Sequence, residues 1–69
     1  MKVYVSDPSY VRGLLADLLR GGCIAATLGP DTLEVLHPDA TDALEARTEL
    51  AFFLRAWRER HPHVAVSLV

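Results

Sequence analysis

The sequence predicts an α+β fold, a two-layer sandwich in which two helices cover one face of an antiparallel sheet. Three observations carry the prediction. Four short stretches read as strands, at Lys2–Ser6, Cys23–Leu28, Thr32–His37 and Val64–Val69. Two longer stretches, about residues 8–20 and 40–60, repeat their apolar residues at helical spacing. The chain has 69 residues, which allows one domain, 1–69, with no linker, repeat or low-complexity segment.

Each element follows from local chemistry. In the first strand Val3 and Val5 share one side, with Lys2, Tyr4 and Ser6 on the other. Asp7-Pro8 then starts a helix, with Asp as N-cap and Pro where its missing N–H costs nothing. Val11, Leu14, Leu15, Leu18 and Leu19 form its apolar stripe, and Gly21-Gly22 supplies a left-handed stop. Gly29-Pro30-Asp31-Thr32 suits a tight turn between strands 2 and 3. Pairing Leu28 with Leu33 places Ile24, Ala26 and Leu28 beside Leu33, Val35 and His37; a one-residue slip would set Glu34 among apolar neighbours. His37-Pro38-Asp39 ends the third strand. In the second helix Ala43, Ala46, Leu50, Phe53, Leu54 and Trp57 fall within one arc of about 100°. Pro62 blocks its continuation, and Val64, Val66 and Leu68 alternate into a last strand.

The order β-α-β-β-α-β is the split βαβ, or ferredoxin-like, arrangement. Right-handed crossovers that each skip one strand position give the sheet order 4-1-3-2. The core is then Val3, Val5, Ile24, Ala26, Leu28, Leu33, Val35, Val64, Val66 and Leu68 against the two helix stripes. The uncovered face carries Lys2, Tyr4, Cys23, Ala25, Thr27, Thr32, Glu34, Leu36, Ala65, Ser67 and Val69.

Composition narrows the function classes. At 7.6 kDa the chain is 51% hydrophobic and 23% charged, with a net charge of −2 and one cysteine. Ordering it costs roughly 1.5 kcal/mol per residue, nearly cancelling what a core of this size returns. One cysteine forms no internal disulfide, which leaves unusually good packing or a partner subunit; of the two, a homodimer is the expectation. The open sheet face or an edge strand is its expected surface. The net negative charge argues against non-specific nucleic-acid binding, and no apolar run reaches the roughly 18 residues of a membrane span. The lone Cys23 and the short apolar start fit a cytoplasmic location.

Candidate contact residues are Tyr4, Ala25, Glu34 and Leu36 on the uncovered face, and Phe52, which points away from the core stripe of the long helix. A small-ligand crevice of the kind seen in amino-acid-sensing domains would use Ser6, Asp7, Ser9 and Tyr10, in the first strand–helix loop. Metal and cofactor sites are not expected. His61-x-His63 is a weak metal signal, while His37 and Cys23 belong to the opposite edge of the sheet. Ser6, Asp7 and Ser9 meet His61 and His63 at one end of the sheet, but the short connections leave little to enclose a substrate, so no enzymatic role is expected. Gly21-Gly22 ends a helix instead of opening one, so it makes no phosphate loop. Arg47, Arg55, Arg58 and Arg60 interleave with Glu45, Glu49 and Glu59 as an ordinary solvated helix surface.

Lys2-Val3-Tyr4-Val5, the Asp7-Pro8 helix start, Val11-Arg12-Gly13-Leu14-Leu15 leading to Gly21-Gly22, and Leu54-Arg55-Ala56-Trp57-Arg58 to Pro62 resemble a group of small bacterial proteins. These are classed as signal-transducing domains and related by fold to the nitrogen-regulatory signal proteins. The resemblance spans nearly the whole chain and implies the fold and a regulatory role, with no activity attached. Other proteins of similar fold differ at their own motifs. The first strand–helix loop has no glycine of the ACT type, strands 2 and 3 have no long intervening loop, and Cys-x-x-Cys is absent. Tyr4 alone falls short of the stacking aromatics of RNA-recognition domains.

Overall fold

A computed structural model describes residues 1–69. The strands are β1 (Lys2–Val5), β2 (Ile24–Thr27), β3 (Thr32–Leu36) and β4 (Val66–Leu68); the helices are α1 (Val11–Arg20) and α2 (Ala43–Arg60). All strand pairs are antiparallel, in the order β2-β3-β1-β4, which counted from the β4 edge runs 4-1-3-2. Helix α1 packs over β2 and β3, and α2 against β4.

A single 3-10 turn, Pro8–Tyr10, precedes α1, and Asp7 caps it by accepting from the Ser9 N–H. Gly22 takes the left-handed backbone, φ +90°, that lets the chain leave α1 and enter β2. Helix α2 starts at Ala43, later than residue 40, because Asp42 is the residue that caps it. Its carboxylate accepts from the Glu45 N–H, and Glu45 reaches back to Thr41. Ala43 is consequently in the exposed first turn and does not join the core arc.

Val3, Val5, Leu14, Leu18, Leu33, Val35, Leu50 and Trp57 have no exposed surface. Val11, Cys23, Leu54, Val64 and Val66 complete the core, with Leu15, Ala25, Phe53 and Leu68 packed at its margin. Burying the Trp57 indole removes about 150–250 Å² from water, a gross gain of about 4–6 kcal/mol. Leu19, read as part of the α1 stripe, is exposed, since its side of the helix overhangs the core.

The β2–β3 hairpin differs from the expected register by one residue. Thr27, not Leu28, lies opposite Leu33, and the Leu28 N–H donates to the Thr32 carbonyl around a three-residue loop, Gly29-Pro30-Asp31. Every β2 side chain therefore changes face. Cys23, Ala25 and Thr27 turn toward α1, while Ile24, Ala26 and Leu28 turn to the open face. Small residues under α1 let the helix lie close to the sheet. Glu34 does stand among apolar neighbours, but on the open face, half-exposed and with the Met1 amino group 3.5 Å from one carboxylate oxygen. Ala25 is accordingly half-buried beneath α1 and is not a contact residue of the open face.

Candidate functional site

Three regions gather the side chains with chemical or binding capacity. The first lies where β1 enters the 3-10 turn, beside the C-terminal end of α2. Here Ser6 Oγ accepts from the Ala65 N–H at 2.9 Å, tying the loop to the segment that leads into β4. Asp7 Oδ1 accepts from both the Ser9 N–H (3.0 Å) and the Ser9 hydroxyl (2.7 Å). Those two bonds, the hydroxyl first, hold the Asp7 carboxyl below its ordinary value, with a smaller contribution from nearby His63.

Tyr10 completes this region. Its hydroxyl lies 2.5 Å from His63 Nε2, and its ring meets Trp57, His61 and His63 edge-on. His61 stacks on Trp57 with ring centroids 3.9 Å apart and donates from Nδ1 to the Trp57 carbonyl. The Trp57 indole N–H donates to Asp17 of α1 at 2.9 Å, joining the two helices. The four residues expected to line a ligand crevice are thus brought together, and Ser6, Asp7, Ser9 and Tyr10 each already have a hydrogen-bond partner within the chain. Neither serine hydroxyl bonds a histidine. The surface cavities all lie elsewhere. The sequence reading missed the stacked aromatic group, although the i, i+4 spacing of Trp57 and His61 is a usable signal.

The second region is the open face of the sheet. Tyr4 (41% exposed), Ile24 (56%), Leu28 (56%), Leu36 (54%) and Val69 (67%) all display apolar surface there. Glu34 stands among them, its neighbours including the Met1 amino group at 3.5 Å. Tyr4, Glu34 and Leu36 therefore share this face, joined by Ile24 and Leu28, which the inverted hairpin register had hidden. Phe52 lies apart, on the exposed side of α2 near Leu44 and Arg55.

The third region, also missed, is a groove of about 450 Å³ at the other end of the molecule from Tyr10. Met1, Ile24, Leu36, Pro38, Ala40, Ala43 and Ala46 give it apolar walls, and His37 and Asp42 supply its polar groups. His37 Nε2 lies 3.1 Å from a Glu49 carboxylate oxygen, and its Nδ1 is buried without a partner. Cys23 is buried nearby; burial pushes its thiol pKa up, with a smaller push from Glu49, so it is a poor nucleophile. No group of three or more His, Cys, Asp or Glu is arranged to hold a metal ion. No helix is long and apolar enough to cross a membrane.

No family model, curated protein or solved structure matches this chain.

Proposed function

We propose that this chain is a small, non-enzymatic regulatory or interaction domain of ferredoxin-like architecture that works as a homodimer in the cytoplasm, associating through its sheet. One observation carries the reading: five large apolar side chains on the open face are more than two-fifths exposed. Scattered apolar residues are ordinary on any surface, but these share one side of a four-stranded sheet. A chain of 69 residues has little other surface from which to gain stability. The ferredoxin-like assignment is supported by the element order and by two helices packed on the core side of the sheet. The regulatory part rests on the resemblance to bacterial signal-transducing domains. Sedimentation equilibrium at micromolar concentration tests self-association: a dimer is expected, and a monomer removes the basis for the reading.

A second reading, small-ligand sensing, is favoured by the groove beside His37 and no longer by the Ser6–Tyr10 loop. Its volume falls in the range of ligand sites, and a mostly apolar wall with one histidine is suited to a small molecule. A thermal-shift screen with amino acids and nucleotides tests it. A rise in Tm that His37→Ala abolishes supports sensing, and a flat screen leaves self-association as the function.

A further inference from the structure

We propose that β2 is the docking edge for β2 of a second copy of this chain, the two strands pairing antiparallel about a two-fold axis at Ala26. The proposal rests on the self-association reading above and names the surface and the register. In an antiparallel ladder, successive residues point their backbone groups to opposite sides. Ile24, Ala26 and Leu28 face β3, with the Leu28 N–H donating to Thr32. Ala25 and Thr27 therefore direct their N–H and C=O groups outward from the sheet. Proteins usually guard such an edge with charge, proline or a covering side chain. From Cys23 to Leu28 there is neither a charged residue nor a proline.

Apolar side chains flank this bare edge on both sides. On the open face they are Ile24 and Leu28. On the helical side the flank is Leu19, with Leu15 partly buried next to it. Leu19 follows Asp17 by two residues, about 200° around the helix. Asp17 bonds Trp57 of α2, so Leu19 points away from α2 and toward the β2 side of the molecule.

A second copy fits because the edge is self-complementary. With the axis at Ala26, Ala25 exchanges both backbone hydrogen bonds with Thr27 of the partner subunit, and Thr27 does the same with Ala25 of the partner subunit. Ile24 then stands opposite Leu28 of the partner subunit in a close, non-hydrogen-bonded pair, and Ala26 on the axis is small enough for close approach. Moving the axis to Ala25 sets Ile24 against Ala26 of the partner subunit; moving it to Thr27 sets Ile24 against Pro30 of the partner subunit. Only the Ala26 register matches the two exposed apolar pairs.

The test uses the full chain in two variants. In a Cys23→Ser background, Ala26→Cys places two thiols opposite each other, and mild oxidation should give a disulfide-linked dimer on a non-reducing gel. Ala26→Lys faces two ammonium groups across the axis from an exposed position. It should raise the dimer dissociation constant at least tenfold, with circular dichroism unchanged. A wild-type dimer that neither cross-links at Ala26→Cys nor weakens with Ala26→Lys overturns the β2 edge and leaves self-association through another surface. A wild-type monomer overturns both readings.

Discussion

The two edges of the sheet are built differently. Strand β4 spans three residues, and its outward Val66 carbonyl accepts from an Arg58 guanidinium of α2 at 3.0 Å. Behind Arg58 stand Trp57, His61 and Tyr10, so this edge is anchored by the interlocked aromatic group. Strand β2 has no such guard. It is uncharged, exposed Ile24, Leu28 and Leu19 flank it, and no side chain hydrogen-bonds its outward backbone groups. A covered edge ends a sheet, while a bare one can continue into another strand. On the pairing proposed for β2, the contrast would make association close at two copies, because only one edge of each chain is free to pair.

The largest expected effect comes from breaking the anchored side. Trp57→Ala removes the biggest fully buried side chain along with its bond to Asp17, costing about 3–5 kcal/mol. Urea denaturation followed by circular dichroism would measure the loss. Amide exchange then tells whether the edges behave as separate units: Ser67 and Val69 should lose more protection than Ala26 and Leu28. Equal losses at both edges would make them one cooperative block and defeat the contrast drawn here.

The element order was legible in the sequence because alternation and helical spacing are separate signals, and Asp7-Pro8, Gly21-Gly22 and Pro62 punctuate them clearly. The face of β2 was not. Its residues from Cys23 to Leu28 are small or apolar on both sides, so periodicity alone does not choose. Loop length decided the register instead, and a three-residue loop reversed the choice based on Glu34. The same reversal concealed Ile24 and Leu28 as surface residues and put Ala25 on the wrong side. The Ser6–Tyr10 loop was correctly seen as a cluster of polar groups near His63. What the sequence could not show was that each group already had an internal partner.

A middle-sized effect tests how β2 is held in place. Gly22 sits at φ +90°, so Gly22→Ala forces a side chain into the left-handed region, at about 1–2 kcal/mol. Neighbouring Gly21 has an ordinary φ of −78°, and a Cβ there is crowded by the Phe53 ring, at 3.0 Å, while it meets the Asp17 and Leu18 carbonyls at ordinary contact distance. Gly21→Ala should therefore cost less than Gly22→Ala in the same urea titration. The reverse order would mean that packing against Phe53, and not backbone conformation, sets the entry to β2.

Removing the guard from β4 sharpens the comparison at about 1 kcal/mol, the typical net value of one hydrogen bond. Arg58→Ala leaves the Val66 carbonyl uncovered while keeping the rest of the strand intact. With both edges bare, sedimentation velocity should show species larger than a dimer as concentration rises. If the variant stays at two copies, the shortness of β4 is what protects that edge, and Arg58 is incidental.

The smallest effect is a dependence on pH, and it compares the two ends of the molecule. Asp7 lies beside His63, and Glu45 lies at the start of α2 on the side of His37. Both carboxyls are held below their ordinary values, Asp7 chiefly by the Ser9 hydroxyl and Glu45 chiefly by the Thr41 hydroxyl. The unfolded chain therefore binds protons more readily than the folded one over this range, and stability rises with pH there. The contribution is complete above the unfolded carboxyl values, about 4, and is lost as pH falls through them to the lower folded values. Both groups are exposed, so solvent screening keeps each contribution small. Urea midpoints of the wild type, read by Trp57 fluorescence, should fall as the pH drops below 4. Asp7→Asn and Glu45→Gln should each flatten that fall. If neither does, the acid sensitivity lies in other groups, and these two carboxyls hold their turns no more tightly when charged than when neutral.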